Sequence, residues 1–299
     1  MPTPTSGANS DGLPAEPPVE PPEASPDGPP AWSKADLAGD PHATPDKAER
    51  VRAMFEAISA RYDLNNRIHS FGRDVAWRRR AVAEAGLRSG DEVLDVACGT
   101  GDLAEALAAA KPSPCRVVGV DFTAGMLEIA RHKARRRRTA IEIDYRLGDA
   151  MDLEFPDASF DVATIAFGLR NVADPPRAIA EFRRVLRAGG RLVVLEFSEP
   201  RIAPIRWFNR LYTEGVMPRT AAILARDRSG AYRYLPRSVA SFPGVETVGR
   251  WIEDAGFEGL RQRPLTFGVC TIHAATVPSD GGRCSESEES TATVLRRTS

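Results

Sequence analysis

The residues with the clearest chemical potential lie in one stretch, Asp91 to Ala104, which reads Asp-Glu-Val-Leu-Asp-Val-Ala-Cys-Gly-Thr-Gly-Asp-Leu-Ala. Gly99 and Gly101 let backbone pass close to a ligand without a Cβ in the way, and a helix starting at Asp102 would present unpaired N–H groups to an anion. Asp95, four residues before Gly99, separates the candidate ligands. A pyrophosphate on the turn gains nothing from an acidic neighbour, whereas the ammonium at the methionine end of S-adenosylmethionine is attracted by one. The spacing therefore favours S-adenosylmethionine over NAD, although Ala104 at the third fingerprint position is compatible with either. A tight strand-to-helix turn with no ligand is the alternative. Asp121, 20 residues beyond Gly101, is placed to receive ribose hydroxyls; it could instead cap the helix that follows, a task for which Thr123 is equally suited.

The elements that must position these residues follow from apolar patterning. Short buried-type strands are expected at 93–96, 116–121, 141–147, 160–166 and 191–197, separated by helical patterns at 102–110, 124–135 and 178–186, the last stopped by Gly189-Gly190. Strands alternating with helices imply an α/β fold with a doubly wound, mostly parallel sheet, its ligands beyond the carboxyl ends of the strands. Asp95, Asp121, Asp149, Arg170 and Glu196 all fall near those ends. Segments 259–263 and 266–275, after a helix at 245–255, suggest an edge hairpin. Ahead of the glycine turn, Val51, Met54, Phe55, Ile58 and Tyr62 recur at helical spacing, and a second helix leads from Trp77-Arg78 to Gly86. Phe55 and Trp77 read as packing residues, and Tyr62, Asp63 and Asn65 as a polar cluster.

Residues 200–236 break the alternation, mixing Trp207, Phe208, Leu211, Tyr212 and Met217 with Arg201, Arg206, Arg210, Arg219, Arg226 and Arg228. This suits a helical lid over an apolar substrate that touches an anionic membrane surface, or a plain insertion packed on the sheet. Residues 1–46 and 276–299 have the composition of disordered tails, which leaves 47–275 as the folded domain. A net charge of −1 argues against a nucleic-acid-binding protein. Cys98, Cys115, Cys270 and Cys284 form neither a zinc pattern nor a disulfide framework. The Arg135–Arg138 run reads as a solvated helix end. No run approaches the length of a membrane span, and the cytoplasm is the expected compartment, with peripheral contact at the inner membrane face.

Several stretches together carry a resemblance: Tyr62-Asp-Leu-Asn65, Ser70-Phe-Gly72 with Trp77-Arg78, Asp95-Val-Ala-Cys-Gly-Thr-Gly-Asp102, Phe167-Gly-Leu-Arg-Asn-Val172, Leu195-Glu-Phe-Ser-Glu-Pro200 and Tyr234-Leu-Pro-x-Ser-Val-x-x-Phe-Pro243. Over residues 47–275 the chain resembles the ubiquinone/menaquinone biosynthesis C-methyltransferases, the family of demethylmenaquinone methyltransferase. The resemblance implies a class I S-adenosylmethionine-dependent methyltransferase of Rossmann-like fold, acting on a ring carbon of a polyprenylated quinol. Demethylmenaquinol is the expected acceptor; a ubiquinone-pathway or bifunctional enzyme, or another small-molecule methyltransferase, stays open. Carried over by position, Thr100, Asp121, Asp149 and Ala150 would bind S-adenosylmethionine, with Asp149 on the adenine amino group and Asp95, Gly99 and Gly101 shaping the methionine pocket. Many members have Asn at 149 and Ser at 166, where this chain has Asp149 and Ala166. No nucleic-acid partner is implied, and a homodimer is left open.

Methyl transfer requires the acceptor carbon held in line with the breaking C–S bond, and a quinol carbon becomes nucleophilic once its neighbouring hydroxyl is deprotonated. Arg170 is the expected stabiliser of the phenolate, Asn171 positions the ring, and Tyr62 belongs to a proton relay. His69 titrates in a suitable range, yet family members do not typically carry His there. The base is unassigned. An NAD-dependent oxidoreductase is disfavoured by Asp95. Nucleic-acid methyltransferases acting on base nitrogens would often carry Asn/Asp-Pro-Pro-aromatic where Phe167-Gly168-Leu169-Arg170 stands, and a non-catalytic S-adenosylmethionine-binding protein would show affinity without turnover.

Overall fold

The computed structural model describes residues 30–33, 36–137, 141–216 and 230–279. Seven strands form one sheet in the order β3-β2-β1-β4-β5-β7-β6. They are β1 (Glu92–Val96), β2 (Arg116–Asp121), β3 (Ile143–Leu147), β4 (Phe160–Ala166), β5 (Leu186–Phe197), β6 (Glu258–Leu265) and β7 (Cys270–Thr276). The first five are parallel, and β7 runs antiparallel between β5 and β6. Near-continuous apolar strands such as Val117-Val118 and Leu192 to Leu195 are buried on both faces, as a parallel sheet covered by helices requires. β1 pairs with β2 on one side and β4 on the other, so the strand order reverses there. A crevice opens at that reversal, beyond the strand ends.

Helices α1 (Lys47–Ile58), α2 (Tyr62–His69), α3 (Arg73–Ala85), α4 (Asp102–Ala108), α5 (Ala124–Arg137) and α6 (Pro175–Val185) are followed by α7 (Ala203–Arg210), α8 (Ala231–Ser241) and α9 (Val245–Asp254). Two apolar cores cover the two faces of the sheet: Phe160, Leu169, Ile179, Phe182 and Ile252 with their neighbours on one, and Trp77, Leu103, Leu107, Leu127 and Tyr145 with theirs on the other. The α/β expectation and the edge hairpin therefore hold. Several boundaries shift by a few residues, with β3 starting at Ile143, α6 at Pro175 and β7 at Cys270, and one difference changes how two elements join. β5 starts at Leu186, directly after α6, because the Gly189-Gly190 pair does not end the element; it sits in a register jump between the pairs Phe160↔Leu186 and Val162↔Arg191.

The packed unit also starts before Lys47, so the expected domain boundary needs correction. Trp32 has no exposed surface, its ring stacks on Tyr234 at 4.7 Å between centroids, and it closes a third cluster with Val51, Met54 and Ile58. A single tryptophan in a proline-rich segment leaves no periodicity by which to find it. In the 200–236 segment, α7 buries none of its residues, and a π-helical turn over Leu211–Val216 follows it. Met217, Arg219, Arg226 and Arg228 of the expected lid lie outside the described residues, as do Arg138, Cys284 and most of both expected tails. No described helix is long and apolar enough to cross a membrane.

Candidate active site

The glycine turn sits at the carboxyl end of β1, where Gly99 and Gly101 have φ of 55° and 83°. Only backbone of this kind turns a strand into α4 within so few residues, and the two glycines do different work. A Cβ on Gly99 would meet nothing within 4 Å, because Gly99 faces an open cleft of about 730 Å³. A Cβ on Gly101 would lie 2.3 Å from the Tyr145 hydroxyl, so this glycine allows close packing of the turn against β3. Gly99, Asp121, Asp149, Ala150, Ala166 and Asn171 line the cleft.

Asp121 ends β2 with its carboxylate buried. Its Oδ2 accepts from Gly99 N at 2.8 Å and its Oδ1 from Thr123 N at 2.9 Å, so it clamps the glycine turn to the start of α5. Burial pushes its pKa up. Each oxygen retains a second lone pair for a ligand hydroxyl. Asp149 is exposed at the other wall; its Oδ1 accepts from Met151 N, which leaves Oδ2 for a donor such as an exocyclic amine.

Three of the expected cofactor residues sit behind this surface. Asp95 has no exposed area, accepts from Thr164 Oγ1 at 2.7 Å, and has Oδ2 without a hydrogen-bond partner. Burial raises its pKa to about 7. It does not line the cleft and lies underneath the turn. Gly101 is packed on Tyr145. Thr100 is buried, and its hydroxyl donates to Asp63 Oδ1. Lys133 Nζ reaches Asp63 Oδ2 at 2.7 Å, Asp102 Oδ1 at 2.6 Å and Thr100 Oγ1 at 3.3 Å. This charged knot ties α2 to the start of α4 and to α5. It explains why Asp63 stands in the Tyr62 to Asn65 motif, while Asn65, expected to be accessible, is buried. Its Nδ2 donates to Arg61 O.

A second cavity of about 1200 Å³ adjoins the first, and Phe55, Tyr62 and Phe167 line both. Its walls are mostly apolar: Met54, Ile58, Trp77, Phe197, Leu235 and Val239. Phe55 and Trp77 thus do more than pack the core. Burial raises the pKa of Tyr62 where the two cavities meet. Arg170 lines the second cavity, but its charge is already partnered: Nη1 is 2.8 Å from Glu196 Oε1 and also donates to Phe167 O. Asn171 donates to Phe167 O and accepts from the Tyr234 hydroxyl at 3.1 Å. The structure brings Tyr62, Arg170 and Asn171 together around Phe167, as expected, with Arg170 as an internal strut. His69 lines the same cavity, its Nδ1 2.9 Å from Asn65 O.

Sequence reasoning missed Asp74. It is 4% exposed and is the one carboxylate among the described residues lining the apolar cavity. Its signal was present in the i, i+4 spacing to Arg78 beside the Ser70-Phe71-Gly72 motif.

The chain resembles known proteins along nearly all of this framework. It is 41% identical over 235 residues to a ubiquinone/menaquinone biosynthesis C-methyltransferase UbiE of Geobacter sp. strain M21, covering 79% of this chain and 99% of that one. It is 47% identical over 225 residues to a demethylmenaquinone methyltransferase of Thermus thermophilus, covering 75% and 100%. Among solved structures, a SAM-dependent methyltransferase of Thermotoga maritima, described as a possible histamine N-methyltransferase, superposes with a TM-score of 0.53 at 22% identity, covering 76% and 99%; at that identity the likeness shows the fold alone. The model of the ubiE/COQ5 methyltransferase family matches residues 43–277, which include the glycine turn, the Phe167–Val172 loop and both cavities, and the chain belongs to that family.

Proposed function

We propose that this methyltransferase moves the methyl group of S-adenosylmethionine to a ring carbon of demethylmenaquinol, giving menaquinol. The observation that carries the reading is the pair of adjoining cavities, one framed by the glycine turn with Asp121 and Asp149 on its walls, the other larger and mostly apolar, which meet at Phe55, Tyr62 and Phe167. The first cleft fits the cofactor: Gly99 leaves its face open, Asp121 keeps lone pairs for ribose hydroxyls, and Asp149 keeps one carboxylate oxygen for the adenine amino group. S-adenosylmethionine supplies an electrophilic methyl group. The chain's own task is positioning: Phe167 and Phe55 confine the quinol ring at the junction, and apolar walls exclude water from it. The 47% identity to a demethylmenaquinone methyltransferase supports a naphthoquinol acceptor, and the relatives named for both quinones keep a ubiquinone precursor as the second reading.

A prenyl tail needs a route from the bilayer, and the surface beside the apolar cavity suits one. Phe71, Trp207 and Phe208 are 78%, 67% and 66% exposed, and Ile202 and Leu211 join them, while Asn209, Tyr212 and Thr213 of the same segment line the cavity. Exposed rings with Arg201, Arg206 and Arg210 nearby fit an interfacial contact with anionic lipid. The test is transfer of labelled methyl from S-adenosylmethionine to reduced demethylmenaquinol and to a demethylated ubiquinol precursor, presented in anionic vesicles. Label in the naphthoquinol alone is expected. Label only in the benzoquinol would overturn the menaquinone assignment, and no label in either would overturn the quinol assignment.

A further inference from the structure

Deprotonation of the quinol hydroxyl needs an acceptor within the cavity, and the residues singled out from the sequence do not provide it. Arg170 is a donor only, and it is already paired with Glu196. Tyr62 is held protonated by burial. The Asn171 amide has both ends engaged, with Phe167 O and the Tyr234 hydroxyl. The apolar cavity does contain one carboxylate among the described residues, at the start of α3. Asp74 Oδ1 accepts from the Ser70 hydroxyl at 2.8 Å, and Oδ2 accepts from Arg78 Nη1 at 2.9 Å. Ser70 and Arg78 line the same cavity. The Arg78 guanidinium also lies over the Phe167 ring, 5.5 Å from its centroid, and Phe167 is one of the three residues at which the two cavities meet.

A buried carboxylate is costly unless its lone pairs are satisfied, and this one is satisfied by a hydroxyl and a cation that both border the space a substrate ring would fill. A serine hydroxyl that donates to a carboxylate keeps a lone pair free to accept, which makes it a two-way relay. Resting on the quinol-methyltransferase reading, we propose that Ser70 and Asp74 are the proton acceptor for the quinol hydroxyl, with Arg78 as the cation beside the resulting phenolate. The quinol O–H bond breaks and its electron pair stays on oxygen; the proton passes to Ser70 Oγ as the serine's own proton passes to Asp74 Oδ1. The ring carbon then bonds to the methyl group while the C–S pair remains on sulfur. The C–H proton of that carbon leaves to water, and Asp74 returns its proton through Ser70 to the oxygen. One proton is released per methyl group transferred, and the carboxylate is regenerated. The charged and titratable groups facing Asp74 are Arg78 on its own helix and Arg67 on α2 at 3.6 Å, with His69, Tyr62, Tyr212, Tyr234 and Arg170 on other walls of the cavity.

The test compares wild type, Asp74→Asn, Ser70→Ala and His69→Gln in methyl transfer to reduced demethylmenaquinol between pH 6.5 and 9.5. S-adenosylmethionine affinity is measured by calorimetry, and quinone affinity by quenching of tryptophan fluorescence, since Trp77 lines the cavity. Asp74→Asn keeps one acceptor oxygen for Arg78, and its amide NH2 can donate to Ser70 Oγ in place of the lost acceptor, so both affinities are expected within about threefold of wild type, while kcat at pH 7 falls by about 100-fold or more, the usual scale of lost general-base catalysis. The residual rate should climb about tenfold per pH unit as the free phenolate increases, against a flat wild-type profile. Ser70→Ala should lose about tenfold with the same slope, and it keeps the test decisive if Asp74→Asn does not fold. Wild-type turnover with a flat pH profile in both the Asp74 and Ser70 variants, or the sloping profile in His69→Gln instead, would overturn the relay alone. Absence of wild-type turnover on any quinol would overturn the function assigned above and the relay with it.

Discussion

The two glycines of the turn should respond to alanine in opposite ways, because one borders solvent space and the other borders a tyrosine. At Gly101, alanine would adopt φ of 83° and put its Cβ 2.3 Å from Tyr145 Oη, 3.0 Å from Tyr145 Cζ and 3.2 Å from Ala130 Cβ. The Tyr145 ring cannot retreat, since its other edge is packed against Gly119, where an added Cβ would come within 2.7 Å of it. A left-handed non-glycine residue costs about 1–2 kcal/mol and overpacking about 1–3 kcal/mol, so Gly101→Ala should lose about 2–5 kcal/mol. In a domain of this size that lowers Tm by roughly 5–15 °C. Gly99→Ala bears only the backbone cost, about 1–2 kcal/mol and a few degrees, but its methyl enters the cleft. S-adenosylmethionine affinity should then fall by about tenfold or more, since about 1.4 kcal/mol of lost contact or steric conflict suffices. Thermal melts and calorimetric titration of the two variants read both axes. Adding Tyr145→Phe should restore part of the Gly101→Ala loss, because it removes the nearest clashing atom, a buried hydroxyl with no hydrogen-bond partner. If Gly99→Ala were the less stable variant, or bound S-adenosylmethionine as wild type does, the division of labour between the glycines would be refuted.

The remaining expectations concern the groups around the two cavities and the sheet edge. Arg170→Met should destabilise by about 3–5 kcal/mol, because Glu196 is left as an unpaired buried charge; Arg170→Met with Glu196→Gln should recover much of the stability in urea melts and, as befits a strut, much of the turnover with it. Trp32→Ala should cost about 3–5 kcal/mol through loss of its stack on Tyr234 and raise KM for the quinol, since Tyr234 lines the apolar cavity and its hydroxyl holds Asn171; an unchanged Tm would mean that residues before Lys47 do not contribute to the fold. His273, buried on β7, has its pKa lowered to about 4 by burial. Between pH 6.5 and 4 the unfolded chain binds the proton that the folded chain does not, so stability rises with pH there and about 3 kcal/mol is lost on acidification from pH 7 to pH 4. His273→Leu should flatten that slope in urea melts across the window, and parallel slopes in the two proteins would refute the assignment.

What could be read from the sequence divides along a physical line. The alternation of apolar runs with helical patterns reports burial on two faces of a sheet, so the strand order's consequence, ligands beyond the carboxyl ends, followed without coordinates. Asp121, Asp149 and Gly99 line the first cleft, as position along a strand and turn led one to expect of them. Asp95 and Thr100 were assigned to the ligand itself, and the structure turns both inward, onto Thr164 and Asp63; the direction of a side chain at a turn is set by backbone torsions that residue types only partly encode. Gly189-Gly190 read as a stop and was a register jump, since glycine permits either. The second cavity was the least legible part. Its walls come from α1, α2, α3, α8, the π-helical turn over Leu211–Val216 and the strand ends, segments separated by up to about two hundred residues, and no local pattern records such convergence.

Asp74 shows what that convergence does to meaning. Taken alone in the sequence, a carboxylate in the first turn of a helix, four residues before an arginine, is a solvated pair worth a few tenths of a kcal/mol. Beside Trp77, Phe167 and Tyr212, the same pair borders a largely apolar cavity, and Asp74 is only 4% exposed. The surroundings of Asp74 therefore depend on the walls that α2, α7, the π-helical turn and α8 contribute. A variant that opens one of these walls, such as Tyr212→Ala, should accordingly lower kcat more than it weakens quinone affinity. Equal changes in the two would show that the wall acts on binding alone.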